Sequence, residues 1–184
     1  MLGTATPSSP VAGSPYAITA ALGTLASGNY AFTTFTNGIL TITQSQLTVT
    51  ANNQTRVFGA ANPALTFQIT GFQNGETLGT SGVTGTPNIS TSATSTSGPG
   101  AYPITAAQGT LAAPNYTFAT ANGTLTVTQA ATTTTITNAS ALGSSTVVGQ
   151  NYPVNWTTSP VAPGAGTPTG NVTVSDGTGN TCTA

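Results

Sequence analysis

Asn29–Gln44 reads NYAFTTFTNGILTITQ, and Asn115–Gln129 reads NYTFATANGTLTVTQ. The likeness extends upstream: Tyr16, Ile18, Gly23, Leu25, Asn29, Tyr30 and Phe32 recur as Tyr102, Ile104, Gly109, Leu111, Asn115, Tyr116 and Phe118, at an offset of 86. Beyond the Phe the offset is 85, so Asn37, Leu40, Ile42 and Gln44 recur as Asn122, Leu125, Val127 and Gln129. A period near 85 residues is a whole small domain, not one coil of a solenoid. The chain therefore reads as an array of modules.

Side-chain parity locates the joints. Along a strand, buried residues keep one parity. In ILTITQSQLTVTA the apolar Leu40 and Ile42 are even, whereas Leu47, Val49 and Ala51 are odd, and the switch falls at Gln44-Ser45-Gln46. A similar break follows Leu125 and Val127. The expected domains are 1–45, the second half of a repeat; 46–130, a complete repeat; and 131–184, part of a third module. Within 46–130 the pattern predicts strands near 47–52, 64–72, 82–91, 101–107, 115–119 and 124–129. Asn122-Gly123, like Asn37-Gly38, has the signature of a two-residue hairpin turn. With such a turn, the extra residue of the first copy requires a β-bulge at Thr33 or Thr34. Thr91–Gly100 (TSATSTSGPG) reads as a flexible loop.

Charge is almost absent. Arg56, Glu76 and Asp176 are the only Asp, Glu, Lys or Arg residues in 184, and there is no His. Hydroxyls and amides must supply the polar surface, and the abundant Thr suits a pleated, half-buried strand. With 22 Gly and 12 Pro as punctuation, the fold class is all-β. One Arg cannot make the basic patch that nucleic acid or an anionic membrane needs. No apolar run is long enough for a membrane-spanning helix, and MLGTATPSSP lacks the pattern of a signal peptide.

Leu47–Leu78, LTVTANNQTRVFGAANPALTFQITGFQNGETL, resembles the start of the MBG repeat family of YGX type. Phe58-Gly59-Ala60 stands at the Tyr-Gly-X position, with Phe in place of the tyrosine, and GAYPITAAQGTLAAPNYTFATANGTLTVT resembles the family's second half. The tail is similar to bacterial Ig-like domains: Gly166–Gly177 fits G-x-P-x-G-x-V-x-V-x-D-G. These resemblances imply tandem Ig-like β-sandwich modules, with a β-grasp-like arrangement as the alternative for the 85-residue unit. They also imply a bacterial extracellular surface protein of adhesin type. An odd cysteine, Cys182, in such a protein is either paired outside this stretch or a free thiol.

Chemistry has few carriers. Glu76 and Asp176 fall in different modules, no His or Lys can act as base, and the many Ser and Thr hydroxyls have no activator. One acid per module is too few for a tight calcium site. No catalytic, cofactor or metal residues are expected, and no cofactor. Seven N-x-S/T triplets, from Asn53, Asn88, Asn115, Asn122, Asn138, Asn155 and Asn171, are about what this Ser/Thr content produces by coincidence. Tyr30 with Phe32, Tyr116 with Phe118, and Trp156 read as core, with a sugar-stacking platform as the alternative. Arg56 reads as a solvent-facing side chain or one covering an apolar edge with its stem, with the anchoring of an anionic ligand as the alternative. The expected function is a non-catalytic spacer whose partners are its neighbouring modules. The alternative is a module that binds glycans or cell-surface receptors.

Overall fold

The computed structural model describes residues 5–139, 143, 152–175 and 181–183. Regular structure there is nearly all strand, with one 3-10 turn at Val11–Gly13. The all-β class stands. In chain order the strands are β1 Tyr16–Ile18, β2 Gly38–Leu40, β3 Ser45–Ala51, β4 Gln54–Val57, β5 Phe67–Thr70, β6 Asn88–Thr91, β7 Gly100–Ala107, β8 Tyr116–Ala121, β9 Gly123–Thr128, β10 Thr132–Ile136, β11 Trp156–Pro160, β12 Thr173–Ser175 and β13 Thr181–Thr183. Residues 45–128 are all described and contain no helix, whereas a β-grasp would pack one on its sheet.

The chain forms two compact units. One comprises Met1–Asn53, Leu65–Thr91 and Pro103–Thr124; the other comprises Gln54–Ala64, Ser92–Tyr102 and Leu125–Ala184. In the first, β3 is the middle strand of β5-β3-β8, antiparallel to β5 and parallel to β8 from Ser45↔Tyr116 to Thr50↔Ala121. The alternation of Leu47, Val49 and Ala51 is realised: all three are buried, with Ile104, Ala106, Leu111 and Tyr116 also in the core. In the second, β4 runs parallel to β9 from Gln54↔Leu125 to Val57↔Thr128. Here too β10 pairs antiparallel with β11, setting Ile136 opposite a half-buried Trp156, and β12 pairs with β13. A four-stranded sheet has the order β4-β9-β7-β6.

Asn122-Gly123 is not a hairpin turn. The strands on either side of it belong to different sheets, so this is a sheet-to-sheet crossing. Gly123 lacks the positive φ that a type I′ turn demands. It is needed instead for close approach, since a Cβ there would lie 2.5 Å from the Ala51 carbonyl oxygen. Asn52-Asn53 makes the matching crossing from β3 to β4. The corner is tied by side-chain amides: Thr124 N–H donates to Asn53 Oδ1 (2.8 Å) and Ala106 N–H to Asn122 Oδ1 (3.0 Å).

The repeat persists at the level of single bonds. Ala20 N–H donates to Asn37 Oδ1 (3.1 Å), as Ala106 does to Asn122. Gly23 and Gly109 have φ of 59° and 60° in equivalent turns. Burial differs sharply: Tyr30 is 77% exposed but Tyr116 4%, and Leu25 is 56% exposed but Leu111 4%. Residues 31–37 form no strand. The bulge expected at Thr33 or Thr34 is therefore absent, because the hairpin reasoning behind it fails and no ladder runs there.

Candidate functional site

Two constellations use the charged residues. The first is built on Gln73–Glu76, where Glu76 N–H closes a turn onto the Gln73 carbonyl at 2.9 Å. Its central residues Asn74 and Gly75 have φ of 54° and 73°, the type I′ signature. The turn delivers Glu76 to Tyr116, whose hydroxyl donates to Glu76 Oε2 at 2.5 Å and accepts from Gln73 N–H at 3.1 Å. The Tyr116 ring meets Phe72 edge-on at a centroid distance of 6.1 Å. Donation to Glu76 raises the Tyr116 pKa above its ordinary 10.0, burial and the Glu76 charge raise it further, and the Gln73 N–H pulls it back.

Beside this pair lies a cavity of about 130 Å³, bordered by Ser8, Ile42, Thr43, Asn74, Glu76 and Asn115. Val11 N–H donates to Asn115 Oδ1 (3.1 Å), and the Asn74 amide donates to the Pro7 carbonyl (3.0 Å). At about 30 Å³ per water, such a space holds a few waters. It is far below the roughly 300 Å³ where small-molecule sites begin.

The second constellation centres on Arg56, which is 6% exposed. The expectation of a solvent-facing side chain is thus overturned. Nε donates to Asn62 Oδ1 at 2.7 Å, Nη1 to the Val57 carbonyl at 3.2 Å, and Nη2 to the Thr94 carbonyl. Asn62 passes the link on, its amide donating to the Ala93 carbonyl at 2.6 Å. Carbonyl and amide oxygens thus surround a buried cation, as burial of a charge requires. They also fix the Thr91–Gly100 segment, which reads as a flexible loop in sequence. Ser97 N–H closes a turn on Thr94, and Ala93 is buried.

Residues 47–126 match the family model described as MBG domain (YGX type). An MBG domain is present. No curated protein and no solved structure matches the chain. Arg56 lies two residues before Phe58, the position where the MBG motif has its aromatic residue. Phe58 there is half-buried, its N–H bonded to the Thr128 carbonyl at 2.8 Å, and Gly59 has φ of 89°.

The structure disperses the other candidates. Tyr116 is buried and Phe118 half-buried, which suits packing, while Tyr30 and Phe32 are exposed. Asn53, Asn115 and Asn122 use their side-chain oxygens to hold backbone N–H groups, and Asn138 does the same for Asn155. Asp176 and the Cys182 side chain lie outside the described residues. Among the described residues no group of three or more His, Cys, Asp or Glu gathers, and no helix is long and apolar enough to cross a membrane. Sequence reasoning missed Asn62 and the Tyr116–Glu76 pair. The available signal was Asn74-Gly75, a turn that aims the following residue inward.

Proposed function

We propose that the chain is a non-catalytic structural spacer of a bacterial extracellular surface protein of adhesin type, built from tandem β-sandwich modules. The MBG domain supports the coarse reading, a repeat domain of a bacterial surface protein. The observation that carries the finer one is the reuse of the same internal bonds at Asn37 and Asn122, with the polar groups of the complete copy turned to holding the fold. Residues 46–130 are the complete MBG repeat, 1–45 the second half of another, and 131–184 part of an Ig-like domain. The exposed Leu25 and Tyr30 support the second assignment, since their counterparts are core. Small-angle scattering combined with a glycan array tests the reading: an extended particle that retains no glycan is expected, and a compact or glycan-retaining one refutes it.

Exposure of Tyr30 favours a second reading, a glycan- or receptor-binding module. Tyr30→Ala would then abolish binding without changing stability.

A further inference from the structure

Gly59 is bare on a side where another part of the chain lies against it. A Cβ built there would stand 2.6 Å from Ala165 N, 2.7 Å from the Pro163 carbonyl oxygen and 2.8 Å from Ala165 Cβ. Two of these atoms are backbone, which cannot swing aside as the end of a long side chain can. Next to it, a Cβ on Gly166 would make ordinary contact with Phe58 Cε1 at 3.9 Å. The approaching segment is itself a tight turn: Gly164 N–H bonds to the Val161 carbonyl at 2.8 Å, and a Cβ on Gly164 would fall 2.6 Å from Ala130 Cβ. Gly166 has φ of 88°.

We propose that the Phe58-Gly59-Ala60 turn is a docking socket for the Pro163–Gly166 loop, and that it locks the MBG domain to the segment following it. Positive φ alone would explain a glycine at 59, because L side chains avoid that conformation. It does not explain why the space outside the missing Cβ is filled by backbone more than a hundred residues away. The two requirements separate cleanly. Asn tolerates positive φ better than other residues with a Cβ, so Gly59→Asn meets the first and violates the second. On the loop side, Ala165 Cβ lies on the Gly59 side, so a large residue at 165 wedges the contact without altering the MBG turn. The socket stands as a contact whether or not the chain serves as a spacer.

The test is amide chemical shift and hydrogen exchange measured on the full chain carrying Gly59→Asn or Ala165→Trp. With Gly59→Asn, the amides of Gly164, Ala165 and Gly166 should shift and exchange at least tenfold faster, while those of β4 and β9 keep their protection. With Ala165→Trp, the amides of Phe58, Gly59 and Ala60 should shift in return. If Gly59→Asn fails to fold, Ala165→Trp decides alone. Perturbations confined to the neighbours of the substituted residue overturn the proposal.

Discussion

Replacing Arg56 with Met tests whether the chain's sole cation is a structural clamp. Met keeps most of the aliphatic stem and deletes the guanidinium. The three acceptors are not equal. The Thr94 carbonyl also receives Ser97 N–H at 3.0 Å, and the Val57 carbonyl receives Ala60 N–H at 3.1 Å, so each keeps a donor. Asn62 Oδ1 has Arg56 as its donor at 2.7 Å and loses it. One orphaned, part-buried acceptor costs about 1–3 kcal/mol. The lost bonds from a charged donor add to this, while release from the desolvation of a buried ion subtracts. The net expectation is a loss of about 2–3 kcal/mol. Against the roughly 4–12 kcal/mol that a domain of this size carries, that is a large fraction. With a urea m-value of about 1–3 kcal/mol/M, the midpoint should fall by roughly 0.7–3 M at unchanged slope. The double variant Arg56→Met with Asn62→Leu should lose less than the sum of the single ones, because removing both partners leaves no orphan. A midpoint for Arg56→Met within about 0.3 M of the parent would refute the clamp.

Other outcomes follow from the same geometry. Tyr116 has a folded pKa raised above its unfolded value. Its contribution is therefore complete below about pH 10 and is lost as pH rises through the folded value. An alkaline melt series should show this loss in the parent and a weaker one in Tyr116→Phe. Leu47→Ala, at a fully buried position, should cost about 2–5 kcal/mol, whereas Leu25→Ala, at an exposed one, should stay within about 0.5 kcal/mol by urea titration. Asn122→Ala should cost about 1 kcal/mol by leaving Ala106 N–H without its acceptor, and loss of protection at that single amide would report it. Gly123→Val should cost more than Asn122→Ala, since the Ala51 carbonyl occupies the space; an unchanged melt would contradict the crossing.

Class, periodicity and most strands were legible because alternation along a strand records burial directly, as in Leu47, Val49 and Ala51. β4 was not, because a buried arginine in QTRV breaks the apolar pattern that marks a buried face. The Asn122-Gly123 crossing was misread because local turn chemistry is the same whether the chain folds back or passes to a second sheet. Only the partners of the flanking strands distinguish these outcomes, and those lie some seventy residues earlier. A third Asn-Gly, at 74–75, does form a tight turn. The lone charge at 56 looked like surface, and that at 76 had no evident role, because no opposite charge stands near either in sequence. Their partners are carbonyls and a phenol, groups that composition does not count as charge partners.

The two parallel pairings have a mechanical consequence. The MBG match begins in β3 and ends in β9, and β3 pairs with β8 as β4 pairs with β9, in parallel register. Tension applied at Ser45 and Thr128 pulls the paired strands lengthwise past one another. Every hydrogen bond in a ladder then bears load together, rather than parting one at a time as when a hairpin is peeled from its open end. Rupture must break a ladder at once. Strands wired in this way are expected to resist stretching out of proportion to the domain's melting temperature.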